Sequence, residues 1–182
     1  MISREELKSR AKAQIKGNIG ILFAIYLVIG LICGTGIGAI LAPALLISMI
    51  MIFLGLIKDQ KPQFGDIFKG CYLFGKALWL FIITEFFIWL WSLLLIIPGI
   101  IKSLAYSMAP YILAQNPDLT ARGALSESKR MMEGHKGDLF VLYLSFIPWF
   151  LLTCVTFGLA AIYVGPYVAA TMANFYTEIK DK

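Results

Sequence analysis

Only two charged side chains fall inside the long apolar stretches of this 182-residue chain, Glu85 and Lys102, and both lie in the middle stretch. A carboxylate at bilayer depth is expensive, so it ordinarily faces a polar interior and marks an ion or proton pathway. The alternative is a neutral carboxylic acid that hydrogen-bonds between helices. Lys102 starts the fourth span, close enough to the outer turn for its flexible stem to reach the interface. Helix rise separates it from Glu85 by roughly 13 Å along the membrane normal, which argues against a direct ion pair. Two polar stripes accompany these charges. Ser103, Tyr106, Ser107 and Pro110 recur at intervals of three and four, as do Tyr163, Tyr167, Thr171 and Asn174. Each set therefore occupies one helix face. Facing each other near Glu85, the two faces would line a hydrated cavity for an ion or small solute. Interfacial anchoring of the tyrosines and ordinary hydrogen bonding between helices is the alternative.

Other chemistry is sparse. The single histidine, His135, has no second histidine or carboxylate cluster at metal-ligand spacing. No serine stands in a nucleophile elbow and no glycine run resembles a phosphate-binding loop. The three cysteines, Cys33, Cys71 and Cys154, match no zinc pattern and read as buried or lipid-facing thiols; Cys33 and Cys154 both fall beside outer turns, where a disulfide is the alternative. We therefore expect no enzyme activity, no metal and no cofactor. The net charge of +5 would suit nucleic acid in a soluble protein. Here the placement of the cations explains it better, and no nucleic-acid partner is expected.

These residues sit in three nearly uncharged stretches, Gly17–Ile57, Ala77–Pro117 and Leu139–Thr177. Each is about 40 residues long, against about 20 needed to cross a bilayer, so each must fold back as a hairpin. The expected fold is all-α and integral to the membrane, with six transmembrane helices arranged as three helical hairpins. One membrane domain covers residues 1–182, in units of approximately 1–57, 58–117 and 118–182. The charged start, Met1–Lys16, does not read as a cleaved signal, and the first span should remain as an anchor. Every cation except Lys102 lies before, between or after the stretches, while the hairpin tips at Gly34-Thr35-Gly36, Pro98-Gly99 and Thr156-Phe157-Gly158 carry almost none. The positive-inside rule then puts both termini and both long loops in the cytoplasm of a multi-pass protein.

The hairpins read as copies of one unit. Each starts near a glycine (Gly17, Gly75, Gly137), and each second helix carries a small residue followed by proline: Ala42-Pro43, Ala109-Pro110 and Gly165-Pro166. This suggests a threefold internal repeat of parallel copies. The intervening segments read as amphipathic cytoplasmic helices. Ser3-Arg4-Glu5-Glu6 is a capping-box pattern, with Leu7, Ala11 and Ile15 following on one face among lysines and arginines. Phe64, Ile67, Phe68 and Cys71 define the middle segment at helical spacing. The third starts at Thr120, presents Ala121, Ala124, Leu125, Ser128, Met131 and Met132, and stops at Gly134. These helices either seal the inner face of the bundle or hold a lipid or partner.

The segments MISREELKSRAKAQIKGNIG, IIPGIIKSLAYSMAPYILAQNPDLTARGALSESKRMMEGHKGDLFVLYLSFIPWFLL and VGPYVAATMANFY resemble the bacterial membrane-protein family known as domain of unknown function nine-seven-five. The block from Asn116-Pro117-Asp118-Leu119 to His135-Lys136 is the most specific part. The resemblance implies a bacterial inner membrane and supplies no catalytic residues. The family is more distantly similar to the membrane domain of some glycerophosphodiester phosphodiesterases, which hints at lipids, although the catalytic domain is missing here. The expected role is a non-enzymatic membrane protein acting through lipid or protein contacts in the envelope, with anionic lipids at the cytoplasmic face and a membrane-protein partner or a homo-oligomer. The alternative is a small transporter or channel with Glu85 in its path.

Overall fold

Alternation between apolar runs and short polar joints is what the backbone follows. The structure is a computed structural model and describes residues 4–35, 38–94, 96–156 and 158–180. Among these the fold is helical throughout. Its elements are α1 (Arg4–Lys16), α2 (Ile19–Gly34), α3 (Gly38–Ile57), a 3-10 helix (Phe64–Leu73), α4 (Phe74–Leu94), α5 (Ile96–Tyr106), α6 (Ala109–Gln115), α7 (Ala121–Met131), α8 (Lys136–Leu144), α9 (Ile147–Val155) and α10 (Ala161–Lys180).

Three helical segments are long and apolar enough to cross a membrane: Ile40–Ile57, Phe64–Leu93 and Lys136–Val155. A fourth arises if α1 and α2, bent by 90° at their junction, count as one broken span. The segments read as the fourth and sixth spans do not meet this criterion. The first is divided into α5 and α6 at 107–108, and α10 is diluted by its tyrosines, Pro166, Asn174 and Glu178. Pro110 sits in the first turn of α6, where its missing N–H is tolerated.

Helix α3 is the mast of the bundle. Of its apolar window 61% is buried, against 22% and 17% for the other two, which turn their large side chains outward. Trp79, Phe86, Trp89, Leu151 and Val155 are all exposed, as lipid-facing residues would be. Small residues let the inner helices approach. Helix α7 packs on α5 and α6, and Ala105, Ala109, Ala121 and Ala124 of these elements are all buried. Such close backbones are how helices associate where lipid removes the hydrophobic drive.

The polar joints take three forms. In α1, Leu7, Ala11 and Ile15 are buried, as their spacing predicts, but against protein: α1 packs most extensively on α10. The Ser3 cap lies outside the described residues. In α7, the Thr120 hydroxyl accepts from the Gly123 N–H at 3.1 Å, and Gly134 takes a left-handed φ of +84° just past the helix. The middle segment differs from expectation. It is a 3-10 helix, so its period is three, and Ile67, Gly70 and Leu73 form the buried face. Phe64 and Phe68, grouped with Ile67 by α-helical spacing, are exposed instead. Gly70 lies so close to α3 that its N–H donates to the Ser48 hydroxyl at 2.8 Å. Pro98-Gly99, read as a hairpin tip, belongs to the first turn of α5. Gly36 and Phe157 of the other two tips lie outside the described residues. The three cysteines are free.

Candidate functional site

In α4 the run of apolar residues leaves Glu85 as the sole acid, and the helix is positioned by its partners on one side only. Glu85 is exposed and opens into a groove of about 220 Å³ between α3, α4 and the α5–α6 bend. Ser103, Tyr106 and Ser107 line the same groove, beside Thr84 and the two prolines Pro43 and Pro110. The α5 stripe and the acid are therefore brought together as the sequence suggested. The serine hydroxyls donate within their own helix, Ser103 to Ile100 O and Ser107 to Leu104 O, both at 2.8 Å. Tyr106 leans on Phe87, with ring centroids 6.5 Å apart. No described residue pairs with the Glu85 carboxyl group. Lys102 stands apart: its ammonium lies 4.8 Å from the centre of the Trp91 ring and makes no ion pair with a described residue.

The α10 stripe lies elsewhere. Tyr167, Thr171 and Asn174 are buried against α1 and α9, not opposite Glu85. Asn174 donates to Gln14 Oε1 at 2.8 Å and to Ala170 O at 2.9 Å, and Gln14 donates back to Asn174 Oδ1 at 3.3 Å. Thr171 donates to Tyr167 O at 2.8 Å. Tyr163 and Tyr167 stack with centroids 6.0 Å apart, and Trp149 stands edge-on to Tyr167 at 5.4 Å, with Phe146 likewise at 5.6 Å. The single cavity expected between two facing stripes is thus two separate places. The apolar face of α1 has to be covered, and α10 covers it, so the α10 stripe is spent on that contact.

Above this aromatic cluster lie cations that spacing alone did not join to it. Arg4, Lys8 and Lys12 recur every fourth residue and share one face of α1. The Lys8 ammonium sits 4.9 Å from the Phe146 ring centre and donates to the Ser145 carbonyl at 3.3 Å. That carbonyl lies at the break between α8 and α9, where Trp149 N–H turns to Phe146 O instead. Lys12 lies 5.7 Å from the Tyr167 ring centre and 6.0 Å from that of Trp149. Partial burial holds the Lys8 pKa below the usual lysine range, and repulsion by Arg4 and Lys12 lowers it further. None of the three cations forms an ion pair with a described residue, whereas Arg10 pairs with both Glu6 and Glu178. The four-residue spacing in α1 and the Phe146-Pro148-Trp149 run were the available signals. Their meeting depends on the α8–α9 break, which was not read from the sequence.

Residues 93–182 match the model of a family described as "Protein of unknown function (DUF975)", which bears out the resemblance read from the sequence. The match includes Lys102, the α5 stripe and the α10 stripe, and it begins after Glu85. No curated protein and no solved structure matches the chain.

Proposed function

Taking that family match as the premise, we propose that the chain is a non-enzymatic, multi-pass protein of the bacterial inner membrane that acts through contacts with anionic lipid headgroups at its cytoplasmic face. In this reading the three apolar stretches are six spans in three parallel hairpins, with both termini inside and α1, the 3-10 helix and α7 as amphipathic elements on the inner side. The observation that carries it is the Arg4–Lys8–Lys12 face. The three cations form no ion pair with a described residue, Arg4 and Lys12 both lower the Lys8 pKa by repulsion, and an anionic headgroup relieves that repulsion. Each cation near an anionic surface is worth about 1 kcal/mol, so the face as a whole biases the lipids around it. The exposed aromatic face of α4 leaves room for a membrane-protein partner or a second copy.

The test is lipid composition around the protein. Purified into nanodiscs from mixed lipid, the parent should retain anionic lipid over zwitterionic lipid, and Lys8→Gln with Lys12→Gln should lose about 5-fold or more of that preference. Equal retention by parent and variant would sink the proposal. A second reading is favoured by one observation, the unpaired Glu85 carboxyl group in its groove with Thr84, Ser103 and Ser107. As a small-solute or ion transporter, the reconstituted protein should show flux that Glu85→Gln abolishes; absent or unchanged flux removes this reading.

A further inference from the structure

A larger cavity, about 740 Å³, lies on the other side of Ser107 and Pro110 from the Glu85 groove. It is a half-open cavity lined by α2, α3, α6, α8, α9 and α10. Along α3 it runs from Ala42 to Phe53, and along α10 from Ala161 to Met172, which by helix rise makes it about 16 Å long. Its walls are almost wholly aliphatic and aromatic, and no charged residue lines it among the described residues. Polar atoms on the wall are mostly satisfied locally: Thr153 donates to Trp149 O at 3.0 Å and Ser107 to Leu104 O at 2.8 Å. The exceptions are three phenol hydroxyls.

Tyr26 comes from α2, Tyr111 from α6 and Tyr143 from α8, so each lies in a different one of the three apolar stretches. All three line this one cavity. None of the three makes a hydrogen bond to a described residue, and none is sealed away from the cavity. Tyr26 reaches its place because α10 carries Gly165 there; a Cβ on Gly165 would stand 3.2 Å from the Tyr26 ring. Tyr26 and Tyr111 are half-buried and Tyr143 is exposed, so their unpaired hydroxyls are accessible and offer donors and acceptors to a molecule that enters the cavity.

We propose that this chamber is a binding site for a neutral single-chain amphiphile, a long-chain alcohol or its ester. The length and lining suit one hydrocarbon chain, and the volume falls within the ordinary range of ligand pockets. The three phenols supply donors and acceptors for an uncharged oxygen head. A phosphate or carboxylate head drawn in among these walls would meet no cation there, which is unfavourable. The site is independent of the Arg4–Lys8–Lys12 face, so the two proposals stand or fall separately.

The experiment uses the full chain in neutral-lipid nanodiscs and a hexadecanol probe bearing a photoreactive diazirine. Irradiation should label cavity-lining peptides, and unlabelled hexadecanol should compete. Hexadecane and hexadecyl phosphate should compete at least about 5-fold more weakly, because one lacks the head and the other carries charge. Combining Tyr26→Phe, Tyr111→Phe and Tyr143→Phe keeps the walls and should weaken labelling at least about 5-fold. Tyr143→Phe alone, at an exposed position, should weaken it in the same direction without loss of thermal stability. Equal competition by hexadecane or hexadecyl phosphate, or unchanged labelling in the stable Tyr143→Phe and triple variants, would overturn the proposal.

Discussion

Single side chains tie the polar joints to the apolar bundle, and two of them make sharp predictions. Asp66 accepts from the Gln63 N–H at 2.9 Å and pairs with Lys69 at 2.7 Å. Burial raises its pKa, but those bonds outweigh burial, and the net value lies below the usual carboxylate range. A carboxyl group depressed in the folded state stabilises the fold above its unfolded pKa of about 3.9 and loses that contribution as the pH falls through the lower folded value. Asp66→Ala should therefore melt earlier than the parent at pH 7, by an amount on the order of 1 kcal/mol, with the gap closing below about pH 3.9. Thermal melts in detergent across that window read it directly. The Gln14–Asn174 amide pair behaves differently, because it is neutral. Asn174→Leu alone strands the Gln14 amide and should cost about 1–3 kcal/mol, while Gln14→Leu with Asn174→Leu should recover most of the loss. A double-mutant cycle with no coupling would contradict the reciprocal bonds.

Among the elements, those with a strong local grammar were legible and those defined by their neighbours were not. Helix α7 announced itself through the Thr120 cap, its apolar face and Gly134, and each of these holds. The face of Leu7, Ala11 and Ile15 was equally plain, yet nothing local said that α10 rather than lipid covers it. The Phe64–Leu73 segment was assigned the wrong face because a period of 3.0 and one of 3.6 diverge within two turns. Its geometry follows from contact with α3. A Cβ on Gly70 would stand 2.4 Å from the Ala44 carbonyl oxygen and 2.6 Å from Ser48 Oγ. Gly70→Ala should therefore lower stability by about 1–3 kcal/mol, whereas Gly65→Ala, which meets nothing within 4 Å, should be neutral. Equal melting temperatures for the two variants would refute the close approach. The candidate site divides along the same line. Glu85 and the α5 stripe share a groove because they face each other across consecutive helices, α4 and α5. The three phenols of the larger chamber come from helices far apart in the chain and share no periodic signal.

For the molecule as a whole, charge placement and cysteine positions combine into a test of orientation. Cys33 and Cys154 are exposed near the ends of α2 and α9, and Cys71 lies in the 3-10 helix between α3 and α4. With both termini inside, a membrane-impermeant maleimide applied to intact spheroplasts should label single-cysteine variants retaining Cys33 or Cys154. The variant retaining Cys71 should react only after permeabilisation. Labelling of Cys71 from outside would reverse the orientation proposed from the positive-inside rule.

The contact between α1 and α10 has a further consequence in time. Gln14 and Asn174 are 160 residues apart in the chain. At about 5–20 residues per second, synthesis of that interval takes roughly 8–32 s. Throughout it, Leu7, Ala11 and Ile15 have been made but the helix that buries them has not. A basic helix with an uncovered apolar stripe rests on the nearest bilayer surface. We therefore expect α1 to rest on the membrane until α10 has been made and then to move onto it, so that closure of the bundle would report the arrival of α10.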